Sequence, residues 1–385
     1  MHMLPFKIQI RTNLIFGPGK IEELPELLKK EKFTKVAAVI DKGVANNQDL
    51  QKVFANIQSE GVILNVFVNE VAEPDYDFLD QFKKNFADVN YQCLIGVGGG
   101  SSLDLAKGIA VLLANPGPAI SYRGFPDLKN NPLPVIAIPT TAGTGSEVTY
   151  NAVFTDSAEK RKLGINSRLN YPIYAILDPN LTLSCPPSVT VSSGMDAIVH
   201  VVESFVSKTT NPLSRMVGKE SFQLMYHNLL KVLHEPHNVG VRGKLLLGSY
   251  LAGISLETGG GPSSSLSYPL GSLFKVPHGI AGGVFIDKIV KFNVEKGFTG
   301  YTELYDCISP GEKISDAEKN KLFVKKMEEL ANALNVPQKL THFKINREHK
   351  ASILDFTSKY MMGGINQNPV KMELEDVDAI LESMF

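Results

Sequence analysis

Apolar positions in the first half of the chain alternate between short β-branched runs and segments of helical period. This alternation is typical of a parallel sheet that is covered by helices. The apolar runs predict strands over residues 36–40, 62–68, 93–97 and 135–138, and the amphipathic segments predict helices over residues 20–30, 49–58 and 78–85.

In the second half the strand pattern ends near Pro186 and Pro187, and apolar positions then recur at helical spacing. The spacing predicts helices over residues 212–233, 241–255, 316–334, 348–361 and 375–384. We therefore predict two domains, an α/β domain over residues 1–184 and an all-helical domain over residues 185–385.

A run of glycines follows the predicted strand that ends at Val97. Gly98, Gly99 and Gly100 lead into Ser101 at the start of a predicted helix. Glycine lets the backbone approach a ligand closely, and the N–H groups at a helix N-terminus bind phosphate. The run predicts a pyrophosphate site, with a tight strand-to-helix turn as the alternative. A plain Rossmann assignment does not follow, because the spacing is not G-x-G-x-x-G and the turn follows a later strand than the first.

Two further features lie where predicted strands end. Asp41 closes an early strand, where a carboxylate binds ribose hydroxyls and repels a 2′-phosphate, which favours NAD over NADP. The stretch from Thr140 to Glu147 follows another strand and supplies hydroxyl groups, and Lys162 is a basic candidate near the same edge. A turn, a helix cap and a surface lysine are the purely structural alternatives.

A candidate metal site begins near Ser193, which we interpret as the start of a helix. Asp196 and His200 are four residues apart, so their side chains aim at the same point. A carboxylate and an imidazole in this arrangement suit a divalent cation such as Fe or Zn. His278, flanked by small residues, is a third candidate, and an ordinary Asp/His pair on a helix surface is the alternative.

Composition excludes several classes of function. The 39 basic and 40 acidic side chains nearly balance without long runs of either sign, which argues against a nucleic-acid-binding surface. The three cysteines have no C-x-x-C spacing, so neither a disulfide framework nor a cysteine zinc site is predicted. Since no leader or apolar stretch of spanning length is evident, we expect a cytoplasmic protein without a membrane partner.

Taken together, these motifs resemble the iron-dependent (group III) alcohol dehydrogenase family, in order and over nearly the whole chain. The resemblance implies a dehydroquinate synthase-like fold, with a Rossmann-like dinucleotide-binding domain followed by an all-helical metal-binding domain. It also implies NAD(P), a divalent metal and a homodimer. The motifs that carry it are Gly98-Gly99-Gly100-Ser101 with Asp104 and Lys107, Thr140 to Glu147, Asp178-Pro179, Pro186-Pro187, Gly194-Met195-Asp196 with His200, and Pro277-His278-Gly279.

The resemblance assigns site residues by position. Asp196, His200 and His278 match three of the family's four metal ligands, an Asp and three His. The cofactor contacts that it implies are Asp41, Gly98, Gly99, Gly100, Ser101, Asp104, Thr140, Thr141, Thr144, Ser146, Lys162 and Leu181.

The chain departs from the family at two positions. Family members typically read His-Ala-x-x-His-Pro-Leu-Gly where this chain has Ser264-Ser265-Leu266-Ser267-Tyr268-Pro269-Leu270-Gly271. Ser264 is expected to be a weak metal ligand or to act through a water, because a hydroxyl is a poor ligand for a transition metal. Tyr268 is the expected catalytic proton relay, together with Lys162 as the other catalytic candidate. Branches that act on sugar acids and phosphonates resemble this chain in these substitutions.

The expected reaction is reversible hydride transfer between nicotinamide and a small polar alcohol or aldehyde, assisted by the metal as a Lewis acid. Polyol, sugar-acid and phosphonate substrates are the types that the resemblance favours. Three alternatives stay open: a metal-independent carbonyl reductase, a non-catalytic nucleotide-binding homologue, and a lyase on the related dehydroquinate synthase or glycerol dehydrogenase scaffold.

Overall fold

The structure is a computed structural model that describes residues 5–385 and divides into two compact units. One unit comprises residues 9–186 and 236–247, and the other comprises residues 187–235 and 248–385 together with residues 5–8. The sequence places residues 236–247 in the helical domain, whereas the structure joins them to the first unit. The reason is local contact, since the Arg242 guanidinium donates to the Cys185 carbonyl at 3.3 Å and Gly243 lies against Pro179.

A six-stranded sheet forms the centre of the first unit, and all its strands are parallel. Its register pairs Gly98 with Pro139, so the loops that follow these residues begin side by side. The predicted parallel α/β arrangement is confirmed, although the sequence did not predict the two strands at one side of the sheet, β1 and β10. In spatial order the strands are β1 (Asn13–Phe16), β10 (Tyr174–Leu177), β5 (Val135–Pro139), β4 (Cys93–Gly98), β2 (Lys35–Asp41) and β3 (Ile63–Asn69).

Apolar side chains bury both faces of this sheet. In β2, Val36, Ala38 and Ile40 belong to one core and Ala37 and Val39 to the other, as the alternation of a strand dictates. The covering helices are α1 (Leu24–Lys30), α2 (Gln48–Ser59), α3 (Tyr76–Lys83) and α4 (Gly100–Ala114). Two short antiparallel pairs, β6 (Asn151–Ala152) with β9 (Ile165–Asn166) and β7 (Thr155–Asp156) with β8 (Arg161–Lys162), follow the sheet strand β5.

The second unit is helical, as the sequence predicts. Helix α5 begins at Pro187, earlier than the predicted start at Ser193, because proline is tolerated in the first turn of a helix. The helices of this unit are α5 (Pro187–Val206), α6 (Pro212–Leu229), α7 (Lys231–His234), α9 (Pro262–Phe274), α10 (His278–Glu295), α11 (Thr302–Ile308), α12 (Asp316–Ala333), α13 (Lys350–Phe356), α14 (Met362–Ile365) and α15 (Leu374–Ser383). The residues of α8 (Val239–Ser255) up to 247 belong to the first unit, and those from 248 onward belong to the second.

Helix α5 is long and apolar enough to span a membrane by length and composition alone. It is not an uninterrupted apolar stretch, because serine, aspartate, histidine and glutamate residues interrupt it. The most apolar 18-residue window of the helix is 78% buried inside the protein, as in the core helix of a globular domain. The helix also carries the buried polar residues Asp196, His200 and Glu203.

Candidate metal and dinucleotide sites

Two glycines of the turn after β4, Gly98 and Gly100, have no room for a side chain. Gly98 adopts a φ of +147°, which side-chain-bearing residues rarely adopt, and a Cβ there would lie 2.7 Å from the Asp41 Cβ. A Cβ on Gly100 would lie 2.6 Å from Thr144 Cγ2. The turn therefore packs closely against Asp41 and the Thr140–Ser146 loop at the carboxyl edge of the sheet, with Gly99 and Gly100 only partly buried.

Helix α4 begins at this turn without a side-chain cap. Gly99 occupies the N-cap position, and among residues 5–385 no side chain caps the first turn of the 15-residue helix. Such an uncapped N-terminus attracts anions, because its N–H groups and the helix dipole point at the same place. The geometry at Gly99, Gly100 and the half-buried Ser101 suits a phosphate.

The Thr140–Ser146 loop lies against the glycine turn. The Thr140 N–H donates to the Gly98 carbonyl at 2.9 Å, and a Cβ on Gly99 would lie 3.4 Å from Thr141 Oγ1. Thr144 Oγ1 accepts a hydrogen bond from the Ser146 N–H at 3.2 Å. The structure thus brings most of the predicted cofactor contacts to one place.

Three predicted cofactor residues face the protein instead. Asp104 is buried, and its carboxylate accepts from Ser146 Oγ at 2.5 Å and from the Val153 N–H at 2.9 Å. Lys162 donates to the Glu73 carboxylate at 2.7 Å, and its side chain is 10% exposed. Leu181 is 1% exposed within the apolar core. Direct contact of these side chains with a cofactor stays a prediction.

The three predicted metal ligands converge in the helical unit. One ligand atom from each of Asp196, His200 and His278 lies within 4.8 Å of the others. Asp196 Oδ1 is 3.5 Å from His200 Nε2 and 3.9 Å from His278 Nε2. The first two side chains are nearly buried and that of His278 is 29% exposed, so the cluster has one open side.

Neighbouring groups hold this cluster in place. Ser267 Oγ is hydrogen-bonded to His278 Nδ1 at 3.0 Å, which turns Nε2 toward Asp196. His200 Nδ1 is buried without a hydrogen-bond partner among the described residues. Two neutral imidazoles and one carboxylate are ligands that Fe and Zn accept, so the residues present fit a divalent metal.

The Ser264 side chain is hydrogen-bonded to Glu203, which is not among the predicted site residues. Its hydroxyl donates to Glu203 Oε2 at 2.6 Å, and the same carboxylate accepts N–H groups from Gly261 and Ser263. Glu203 thereby caps the N-terminus of α9. Burial raises the pKa of its carboxyl group, although the hydrogen bonds from Ser263 and Ser264 act to lower it. Its position one helical turn after His200 on α5 is the sequence signal that could have marked it.

Tyr268 lies beside the metal cluster. Its ring centroid is 5.2 Å from that of His278, and the two rings meet edge to face at 75°. The phenol is only partly buried. This position fits its predicted role as a proton relay, which stays a prediction.

Profiles of one family match both halves of the chain. Residues 11–179 match the profile of the iron-containing alcohol dehydrogenases, and residues 190–385 match the C-terminal profile of the same family. The two matches leave out only residues 1–10 and 180–189.

Individual relatives agree with this assignment. The chain is 32% identical over 308 residues to the NAD-dependent methanol dehydrogenase of Bacillus methanolicus, covering 78% of this chain and 79% of that protein. It is 29% identical over 391 residues to the sulfoacetaldehyde reductase of Bilophila wadsworthia, covering 97% of each. The solved alcohol dehydrogenase of Oenococcus oeni superposes with a TM-score of 0.93 at 26% identity, covering 99% of this chain and 100% of that one. The family predicted from the motifs is confirmed, and the chain belongs to the iron-containing alcohol dehydrogenases.

Proposed function

We propose that this protein is an NAD-dependent, metal-assisted dehydrogenase that interconverts a small polar primary alcohol and its aldehyde. Family membership makes it an oxidoreductase that acts on CH–OH donors. The main support for metal assistance is that ligand atoms of Asp196, His200 and His278 lie within 4.8 Å of one another on the helices of one unit.

Each group has a distinct task in this proposal. Asp196, His200 and His278 hold the cation, which supplies Lewis-acid polarisation of the substrate oxygen when bound. Ser267 orients His278, and Tyr268 exchanges the hydroxyl proton with solvent. In the oxidative direction the substrate carbon gives its hydride to C4 of NAD⁺ and its oxygen gives up a proton.

Two observations favour a polar substrate. Tyr268 stands where the family typically has a histidine, and its phenol hydroxyl can donate a hydrogen bond to an anionic or hydroxylated substrate. A relative of similar length, the reductase of Bilophila wadsworthia, is named for sulfoacetaldehyde, a small anionic aldehyde. We propose the same class here, with polyols, sugar acids and phosphonates as its other members. The cytoplasmic location and the homodimer stay predictions from the sequence.

A metal-independent carbonyl reductase is the second candidate. Ser264 favours this candidate, because it replaces the histidine that is the family's fourth metal ligand. Its hydroxyl also donates a hydrogen bond to Glu203. In that case Tyr268 or His278 would polarise the carbonyl directly.

Elemental analysis tests the proposal. Protein purified without chelator, and then incubated with Fe(II) or Zn(II), is compared with His200→Ala and with His227→Ala, which removes an exposed histidine of α6. We expect stoichiometric metal in wild type and in His227→Ala and its loss in His200→Ala. Turnover is followed as NADH formation or consumption with methanol, 1,3-propanediol and sulfoacetaldehyde.

The alternatives give different outcomes. Turnover that survives chelation would favour the metal-independent reductase. NADH binding without turnover of any alcohol or aldehyde would favour a non-catalytic homologue, and product formation with no net change in NADH would favour a lyase.

A further inference from the structure

A lysine is completely buried in the middle of α4. Lys107 is 0% exposed, and its ammonium donates to the Ser146 carbonyl at 2.9 Å, to the Thr149 carbonyl at 3.4 Å and to the Asn151 carbonyl. Its three N–H groups thus bind three carbonyls of one irregular segment. Burying an ammonium is unfavourable unless such partners compensate it.

Two carboxyl groups complete the environment of this ammonium. Asp104 Oδ1 is 3.2 Å from Lys107 Nζ, and the same carboxylate accepts from the Ser146 hydroxyl and the Val153 N–H. Glu147 is 2% exposed, and its Oε1 has no hydrogen-bond partner among the described residues. Lys107, Asp104 and the segment 146–153 therefore form one buried network.

The network continues to the place where the dinucleotide is expected. Ser146, which is bound by both Lys107 and Asp104, donates its N–H to Thr144 Oγ1. Thr144 in turn stands against Gly100 at the N-terminus of α4, where a Cβ would lie 2.6 Å away. Because of these contacts, a displacement of Ser146 would also displace Thr144, which packs against the glycine turn.

An apolar side chain would fill the volume of Lys107 without the unfavourable burial of a charge. It would deprive the carbonyls of Ser146, Thr149 and Asn151 of the donor that Lys107 supplies, and a buried or partly buried polar group that loses its partner destabilises the conformation that holds it there. The loop would then settle where water can reach those carbonyls, away from the glycine turn.

We propose that Lys107 is a positioning residue for the dinucleotide, acting together with Asp104 through the Thr140–Asn151 loop and without contact to the cofactor. The inference rests on the proposed function only in requiring that the ligand is NAD(H). It assigns Asp104 a role behind the loop in place of the predicted direct contact.

Direct NADH binding tests this role. The fluorescence of NADH reports binding without metal or substrate, and the chain contains no tryptophan that would interfere. For Lys107→Met we expect a Kd for NADH raised about tenfold or more, corresponding to the loss of about 1.4 kcal/mol or more of binding free energy. The KM for NAD⁺ should rise by the same factor, whereas kcat at saturating NAD⁺ and the KM for the alcohol should change little.

Two further variants separate positioning from general destabilisation. Leu112→Ala removes a buried side chain from the same helix without touching the network, so it should lower Tm and leave the Kd for NADH unchanged. Asp104→Asn keeps the side-chain shape but removes the charge, and it should raise the Kd in the same direction as Lys107→Met.

The outcomes are decisive in each case. A folded Lys107→Met with wild-type Kd would overturn the inference, and so would Leu112→Ala raising the Kd to the same extent. If Lys107→Met does not fold, an unchanged Kd in Asp104→Asn overturns it. Wild-type protein that binds NADH but turns over no alcohol would contradict the proposed function and leave this inference intact, whereas wild type that binds no NADH would contradict both.

Discussion

Replacing Gly100 by alanine adds a methyl group where the glycine turn meets the Thr144 side chain. The new Cβ would lie 2.6 Å from Thr144 Cγ2 and 2.9 Å from Thr144 Oγ1. Carbon atoms in contact prefer a separation of about 3.5–4.0 Å, so the overlap approaches about 1 Å. Thr144 is exposed and can move outward, but this movement breaks its hydrogen bond with the Ser146 N–H.

The effect should fall on cofactor binding and spare the fold. In the free protein Thr144 moves outward and relieves the overlap, but bringing it back to its place beside the cofactor site would cost about 1–3 kcal/mol, the range for overpacking. Since each 1.4 kcal/mol is roughly tenfold in Kd, we expect the Kd for NADH to rise between about 5-fold and 150-fold. Gly100 lies in the first turn of α4 and has no positive φ, so alanine suits its backbone and Tm should not fall.

A double-mutant cycle isolates the contact. NADH titrations are made on wild type, Gly100→Ala, Thr144→Ala and the double variant, with Tm measured for each. In the Thr144→Ala background most of the overlap is gone, so Gly100→Ala should then change the Kd by less than about threefold. Wild-type affinity in Gly100→Ala, or an equal effect in both backgrounds, would refute the geometry argued for this loop.

Three other substitutions test separate parts of the molecule. Ser267→Ala removes the partner of His278 Nδ1, so Zn(II) affinity measured by chelator competition should fall about 10-fold or more, and unchanged affinity would contradict this orientation. Burial raises the pKa of Glu147 from 4.5 to about 7, so the native state holds this proton more tightly than the unfolded state does. The contribution of Glu147 to stability is therefore present below about pH 4.5 and is lost as the pH rises through about 7, amounting to roughly 3 kcal/mol at most. Urea unfolding at several pH values should show Glu147→Gln gaining on wild type over that interval, and a difference independent of pH would contradict the assignment. Gly279→Ala would place a Cβ 1.9 Å from a backbone carbonyl of α5, so Tm should fall by more than about 5 °C. At Gly363 an added Cβ would meet no atom of another element within 4 Å in the described part of the chain, so Gly363→Ala should leave Tm nearly unchanged.

Local patterns were sufficient for much of the secondary structure and for parts of each site. The apolar runs predicted four of the six sheet strands. Of these, β2, β4 and β5 are apolar because they are buried on both faces, whereas β3 alternates between buried and exposed positions. The glycine run predicted the uncapped start of α4. The spacing of Asp196 and His200 predicted a shared direction, because residues four apart lie on the same face of a helix.

Partners that are distant in the chain were decided only by the tertiary structure. Nothing in the local sequence around Ser264 indicates that its hydroxyl donates to Glu203, 61 residues earlier. The same holds for Asp104 and Lys107, whose helix has apolar neighbours all round and whose partners lie around 40 residues away. Spacing determines which side chains share a face of one helix, whereas the packing of different elements determines what that face meets. Ser264, Asp104 and Lys107 make their contacts through such packing, and their roles could therefore not be predicted from the sequence.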